Sequence, residues 1–267
     1  MCPELFHIGS FAIRAYGLAL AISFLVGLTL IGREARVLRL DPDKIVNLGF
    51  ILIIFGVIGG RLAYVLYHLS EFADSPWDVI NPFHSDHFGI AGLNLQGGLL
   101  GGFIAGLLYL RWKKMPIISS FDAVAPAVGF GIFLSRIGCF LNGCCFGVPT
   151  DGPFGVHFPD NSAAHAVFGN AALQPTQLYS SAYGLLLFLG LSWVNRHRYR
   201  VGRPVGLFFT AEALFRALIE PLRYYEEQMH VTIGGFDLTF NIVVALAMFV
   251  IGIFFLRYRG GREAKTA

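Results

Sequence analysis

The sequence predicts an all-α, polytopic membrane protein with seven transmembrane helices, the N-terminus outside, the C-terminus cytoplasmic and small outer-face loops. Three observations carry this. Apolar runs near the roughly 20 residues needed to cross a bilayer recur along the chain. Only 14% of the 267 residues are charged, against about 25% in an ordinary soluble domain. Lys and Arg gather in every second connection, the positive-inside pattern.

The first run, residues 11–32, is followed by Arg33, Arg36, Arg39 and Lys44. No basic residue precedes it, so it reads as a retained anchor rather than a cleaved leader. The second, 46–67, leads into a connection, His68 to Ile90, without Lys or Arg. The third, 91–110, is broken by glycines and ends at Arg111, Lys113 and Lys114. The fourth, 119–141, leads to a second connection free of Lys and Arg, Asn142 to Gln174. The fifth, 176–194, precedes Arg196, Arg198, Arg200 and Arg203, and the sixth, 205–222, carries charges of its own. The last, 238–256, precedes Arg257, Arg259, Arg262 and Lys265. The runs at 91, 119 and 205 are interrupted, which makes six helices the competing count. An even number would put both termini on one side and spoil the charge alternation.

No linker or composition shift divides residues 1–267, so one membrane domain is expected. The net charge of +3 is accounted for by the cytoplasmic loops, and no nucleic-acid surface is left over. The Asn142 to Gln174 connection, rich in Gly, Pro, Asn and Asp, holds Phe146, Phe154, Phe158 and Phe168. With His68 to Ile90 it is expected to form a cap of ordered turns rather than another helix. Glycines four apart, Gly56 and Gly60, Gly97 and Gly101, Gly98 and Gly102, Gly102 and Gly106, suit close helix packing or room for a lipid.

Charged residues inside apolar runs need partners and are candidates for function. Arg14, Arg61, Arg136, Arg216, Glu220 and Arg223 are such residues. On the topology above, Arg14, Gln96, Arg136, Asn142, Gln177, Tyr179, Glu220 and Arg223 fall in the outer half. Arg216 lies deeper and can pair with Glu220 one turn on. Several arginines against one carboxylate leave positive charge that an anionic ligand would balance. In a bilayer that ligand is a phospholipid phosphate, which suits the planar Arg fork. Cys139, Cys144 and Cys145 also map outward, where a disulfide from Cys139 to one of the others is open. No second Cys/His cluster stands at metal spacing, so neither a metal nor another cofactor is expected.

These motifs resemble the prolipoprotein diacylglyceryl transferases over nearly the whole chain. Ile13-Arg14-Ala15-Tyr16-Gly17-Leu18 is similar to the family's opening segment, and Gly60-Arg61-Leu62-Ala63-Tyr64-Val65 to its second helix. Leu95-Gln96-Gly97-Gly98-Leu99 is similar to its glycine-rich third helix, and Ser135 to Gly147 to its Gly-Arg signature. Gly155-Val156-His157-Phe158-Pro159, Gln174-Pro175-Thr176-Gln177-Leu178-Tyr179, and Phe215-Arg216 through Glu220 to Arg223 follow in order.

The resemblance implies transfer of the diacylglyceryl group of phosphatidylglycerol to the lipobox cysteine of a preprolipoprotein signal peptide, at the outer face of the bacterial cytoplasmic membrane. It implies catalytic roles for Arg136, Arg216, Tyr16 and Gln96, and substrate contacts from Arg136, Asn142, Gly147, Arg14, Glu220 and Gln177. The departures lie at the presumed centre. Gln96 stands where the family has histidine, Cys139 where it has asparagine, and Cys144 where it has an acidic residue. Three readings stay open: an active transferase with another base; a relative with a different acceptor, or with Cys139, Cys144 or Cys145 as redox pair or nucleophile; and a non-catalytic lipid-binding or transport protein.

Overall fold

The structure is a computed structural model that describes residues 4–8, 11–72, 77, 83–84, 87–88, 93–160, 162–197, 200–224, 230–233 and 236–258. Of these, residues 4–14, 70–71, 83–88 and 230–240 are described in backbone only. Seven long helices coincide with the seven apolar runs: α1 (Ala15–Leu38), α2 (Pro42–Tyr67), α3 (Leu95–Trp112), α4 (Ile117–Asn142), α6 (Thr176–Arg196), α7 (Arg203–Ile219) and α8 (Phe240–Arg257). Three of them, α1, α2 and α4, are long and apolar enough to cross a membrane on length and composition alone. The described strands are short: the antiparallel hairpins β1–β2 (Glu4–Ile8, Phe11–Arg14), β3–β4 (Phe83–His84, His87–Phe88) and β5–β6 (His230–Ile233, Phe236–Thr239).

Helix boundaries follow local chemistry. Asp41 caps α2, its carboxylate accepting from the Asp43 and Lys44 amides, with Pro42 in the first turn. Asn94 caps α3 through Gly97 N at 2.9 Å, which is why that helix starts at 95 rather than 91. Gly143, at φ 71°, closes α4 in the left-handed region. Its amide reaches Phe140 O and the Cys144 amide reaches Cys139 O, the hydrogen-bond pattern of a Schellman cap.

Glycine lets two pairs of helices approach closely. A Cβ at Gly59 would come within 2.5 Å of Gly97 O and 3.0 Å of Gly101 Cα, so the α2–α3 seam is backbone against backbone. The packing alternative for these glycines is the one found. In the α4–α6 seam, a Cβ at Gly184 would lie 2.6 Å from Phe133 N. This seam sets the distance from Arg136 to α6.

One end of the bundle is tied by a buried polar network. Pro126 inside α4 has no amide to give to Asp122 O four residues back. Asn195 Nδ2 donates to that carbonyl instead, at 3.0 Å, and also to Glu34 Oε2 at 2.9 Å. The Asp122 carboxylate accepts from Gly202 N and Val205 N, capping α7. Tyr109 Oη donates to Lys44 O and Arg200 to Tyr258 O. The α1–α2, α3–α4 and α6–α7 connections and the end of α8 therefore share one end, where the basic residues cluster.

At the opposite end, the connection from 142 to 174 has a small core of its own. Phe146, Phe158, Ala164 and Leu173 are buried there, with Phe140, Phe168 and Tyr224 against them. Phe154 is 72% exposed and takes no part. Most of this cap is turns, but a six-residue helix, α5 (Ala163–Phe168), interrupts them because Ser162 Oγ accepts from His165 N. Most of His68 to Ile90, the other half of the expected cap, lies outside the described residues.

Candidate functional site

Arg136 lies in the last two turns of α4, on the side that meets α6 and α7. With Ile132 it forms one wall of a cavity of about 80 Å³, whose other walls are Ser180 and Tyr183 of α6 and Glu212, Phe215, Arg216 and Ile219 of α7. Glu220 and Arg223, in the 3-10 turn after α7 and just beyond it, complete the lining. The space has room for a polar headgroup fragment such as a phosphate.

Arg216 Nε donates to Glu212 Oε1 at 3.0 Å, with the carboxylate side chain 10% exposed and the guanidinium 27%. The carboxylate paired at this distance is thus one turn before Arg216, and Glu220 one turn after it lines the same cavity. Glu212, Tyr183 and Ser180 were missed by sequence reasoning. For Glu212 a signal existed, because an acid four residues N-terminal to a base is the better-oriented helical pair. Tyr183 stacks on Phe215, ring centroids 4.0 Å apart. The Tyr183 hydroxyl lies against the Glu212 carboxylate as a hydrogen-bonding neighbour, and both side chains line the cavity, where polar groups of a ligand can join them.

Beside the cavity sits a cluster of thiols. The sulfurs of Cys139, Cys144 and Cys145 all lie within 4.8 Å of one another, and the three cysteines are free rather than disulfide-linked. Left-handed backbone at Gly143 (φ 71°) and Cys145 (φ 60°) turns the chain back over the end of α4. The turn is pinned by α6, where Thr176 Oγ1 donates to Cys145 O at 3.0 Å and Gln177 Nε2 to Cys144 O at 2.8 Å. The Asn142 side chain hydrogen-bonds the Cys144 thiol. Hydrogen bonds from the Cys139 and Cys144 thiols hold the Cys145 thiol far below its usual range, and the charges of Arg136 and Arg223 add to this. Those two arginines therefore face both the cavity and the sulfurs.

Of the residues singled out in the sequence, Arg136, Arg216 and Glu220 meet in the cavity. Tyr16 packs on Gly138, within electrostatic reach of Arg136 and the three cysteines. Asn142 and Gln177 act on the cysteine turn. Gly147 is held in the cap by a single bridge to Arg223, its amide on Gln174 O, where a Cβ would run into Leu222 O and Gln174. Gln96 is exposed on α3, which packs mainly on α2, and does not line the cavity. The Arg14 side chain lies outside the described residues. Arg61, 8% exposed, sits over the rings of Tyr64 and Phe72 at 5.7 and 5.1 Å.

Comparison with known proteins places the chain in a family. The family model for prolipoprotein diacylglyceryl transferase matches residues 3–258. The phosphatidylglycerol–prolipoprotein diacylglyceryl transferase of Nitratidesulfovibrio vulgaris is 33% identical over 270 aligned positions, covering 99% of this chain and 97% of that protein. Those of Geobacter sulfurreducens and Clostridium tetani are each 32% identical, covering 94% and 84% of this chain and 92% and 86% of their own lengths. With the match spanning all seven long helices and the three arginines of the cavity, the chain belongs to the prolipoprotein diacylglyceryl transferase family.

Proposed function

We propose that this chain transfers the diacylglyceryl group of phosphatidylglycerol to the thiol of the lipobox cysteine in a preprolipoprotein signal peptide, forming a thioether. Residues 1–267 act as one domain in the bacterial cytoplasmic membrane. All seven long helices span it, with the N-terminus outside, the C-terminus in the cytoplasm and the arginine cavity toward the outer face. The basic end formed by the α1–α2, α3–α4 and α6–α7 connections supports this orientation.

The observation that carries the proposal is the convergence of Arg136, Arg216 and Arg223 on one cavity with room for a phosphate. The acceptor attacks as thiolate. Its sulfur bonds to the glycerol carbon, the carbon–oxygen bond to phosphate breaks, and glycerol phosphate departs with added negative charge on the leaving oxygen. Arg136 and Arg216 hold that phosphate, and each such contact lowers the barrier by about 3 to 4 kcal/mol. Tyr16, beside Arg136, positions the lipid near the sulfurs. Gln96 cannot accept a proton at neutral pH and serves at most to orient substrate. Glu220, in the cavity wall, is the carboxylate we assign as proton acceptor.

Vesicles containing phosphatidylglycerol and the full chain, given a lipobox peptide, should yield a peptide heavier by one diacylglyceryl group. Phospholipid retained through purification with no such product would instead favour the reading in which the acceptor differs or the scaffold only binds lipid, which the unusual thiol cluster also accommodates.

A further inference from the structure

We propose that Cys139, Cys144 and Cys145 form a tris-thiolate site for a d10 metal ion, Zn(II), whose open fourth position receives the acceptor cysteine thiol. The proposal rests on the transferase reading for its catalytic role and on the thiol geometry alone for the site.

A zinc–sulfur bond of about 2.3 Å implies sulfurs about 3.8 Å apart in a tetrahedron. The three sulfurs here lie within 4.8 Å of one another, so each pair needs to close by about 1 Å at most. The backbone is already shaped for this. Cys139 is on the last turn of α4, and the left-handed residues Gly143 and Cys145 return the next two thiols to it. Thr176 and Gln177 fix the carbonyls of Cys145 and Cys144, which holds the turn that brings the three sulfurs together. Three thiols also suit a metal better than a disulfide, because pairing any two strands the third within the same cluster. Soft thiolate ligands select Zn(II) or Cu(I) over harder cations. Zn(II) is the one that keeps a fourth tetrahedral position after three protein ligands, the arrangement of catalytic sites.

Such a site would activate the acceptor thiol ahead of proton transfer to Glu220. A thiol that coordinates the ion is deprotonated outright, its proton leaving to Glu220 or water. The coordinated sulfur then attacks the glycerol carbon while Arg136 and Arg216 receive the phosphate. The sum is thiol plus phosphatidylglycerol giving thioether, glycerol phosphate and one proton, with no change of oxidation state. Arg136 and Arg223, close to Cys145, offset the negative charge of three thiolates on one divalent ion.

The test uses the full chain purified in detergent under reductant and loaded with Co(II) or Zn(II). One equivalent per chain and a thiolate-to-cobalt charge-transfer band are expected, with loss of both in Cys144→Ser and Cys145→Ser. If a serine variant fails to fold, Cys145→His keeps a zinc donor and should keep the bound ion with a shifted band. In the vesicle assay, a chelator should abolish thioether formation and zinc restore it, while phosphatidylglycerol retention stays unchanged. Transfer at full rate by metal-free protein or by Cys145→Ser would overturn the inference and leave the transferase reading standing. Metal-free protein two hydrogens lighter, with a disulfide in the cluster, would overturn the site itself. One ion bound through all three thiols, with no thioether under any condition, would support the site and overturn the transferase reading.

Discussion

Replacing Arg136 by alanine should separate catalysis from stability. Arg136 is half-buried in the cavity wall, and no carboxylate or carbonyl stands in hydrogen-bond or ion-pair range of it among the described residues. The anion it faces is the Cys145 sulfur, and a partly exposed pair of this kind contributes little, so its removal should lower the melting temperature only slightly. Activity should fall much further. Losing one preorganised contact to the leaving phosphate costs about 2.7 to 4 kcal/mol, or about a hundred- to a thousandfold in kcat. Arg136→Lys should recover part of this, because it returns the charge without the two-pronged fork. The assay is thioether formation on a lipobox peptide in phosphatidylglycerol vesicles, beside thermal unfolding in detergent. An alanine variant that melts well below the parent, or that turns over at the parental rate, would refute the assignment.

The neighbouring pair should matter more for stability. Glu212→Ala leaves Arg216 without its 3.0 Å partner; because Arg216 is 27% exposed, the loss should fall toward the lower end of the about 3 to 5 kcal/mol for breaking a buried pair. Glu212→Gln should lose less, and equal melting of the two variants would count against the pair. In metal-free protein, the Cys139 and Cys144 hydrogen bonds, with the charges of Arg136 and Arg223, hold the Cys145 thiol far below its usual range. A depressed pKa keeps the thiolate as pH falls, so iodoacetamide should alkylate Cys145 at nearly constant rate from about pH 8 to about pH 5. A tenfold loss per pH unit, as for an ordinary thiol of pKa about 8.5, would contradict this. Gln177→Ala should free the Cys144 carbonyl and loosen the cysteine turn, read as faster hydrogen exchange of the Cys144 and Cys145 amides. Gly59→Leu should split the α2–α3 seam and lower the melting temperature, since even a Cβ at this position would overlap Gly97 O.

The helices were legible because apolar length and loop charge are local signals. All seven runs became helices, with shifts at the ends where Asn94 caps α3 or residues 11–14 pair as a strand instead. Arg136 and Arg216 were legible for a related reason: each is conspicuous in an apolar run whatever its neighbours. Their meeting across the α4–α6–α7 junction was not, because it depends on seams such as Gly184 against Phe133. Glu212 was overlooked in favour of Glu220, though the i to i+4 rule applies to both sides of Arg216. The meeting of the Tyr183 hydroxyl with Glu212 could not be foreseen, since nothing in the sequence says which face of α6 turns toward α7.

The departures at Gln96, Cys139 and Cys144 gain meaning from their positions. Gln96 stands on α3, an exposed site away from the cavity, while Cys139 and Cys144 are beside it with Cys145. A proton acceptor at position 96 would therefore have to reach the acceptor thiol through movement of α3 or through solvent. Thiols at 139, 144 and 145 need neither, because they already share charge with Arg136. If activation of the acceptor has passed to the sulfur cluster, a histidine at position 96 becomes dispensable and glutamine there is tolerated. Gln96→His should then leave the thioether yield unchanged in zinc-loaded protein and fail to rescue Cys145→Ser. Rescue of Cys145→Ser by Gln96→His, measured in the same vesicles, would show that position 96 reaches the acceptor after all and that the thiols do not replace it.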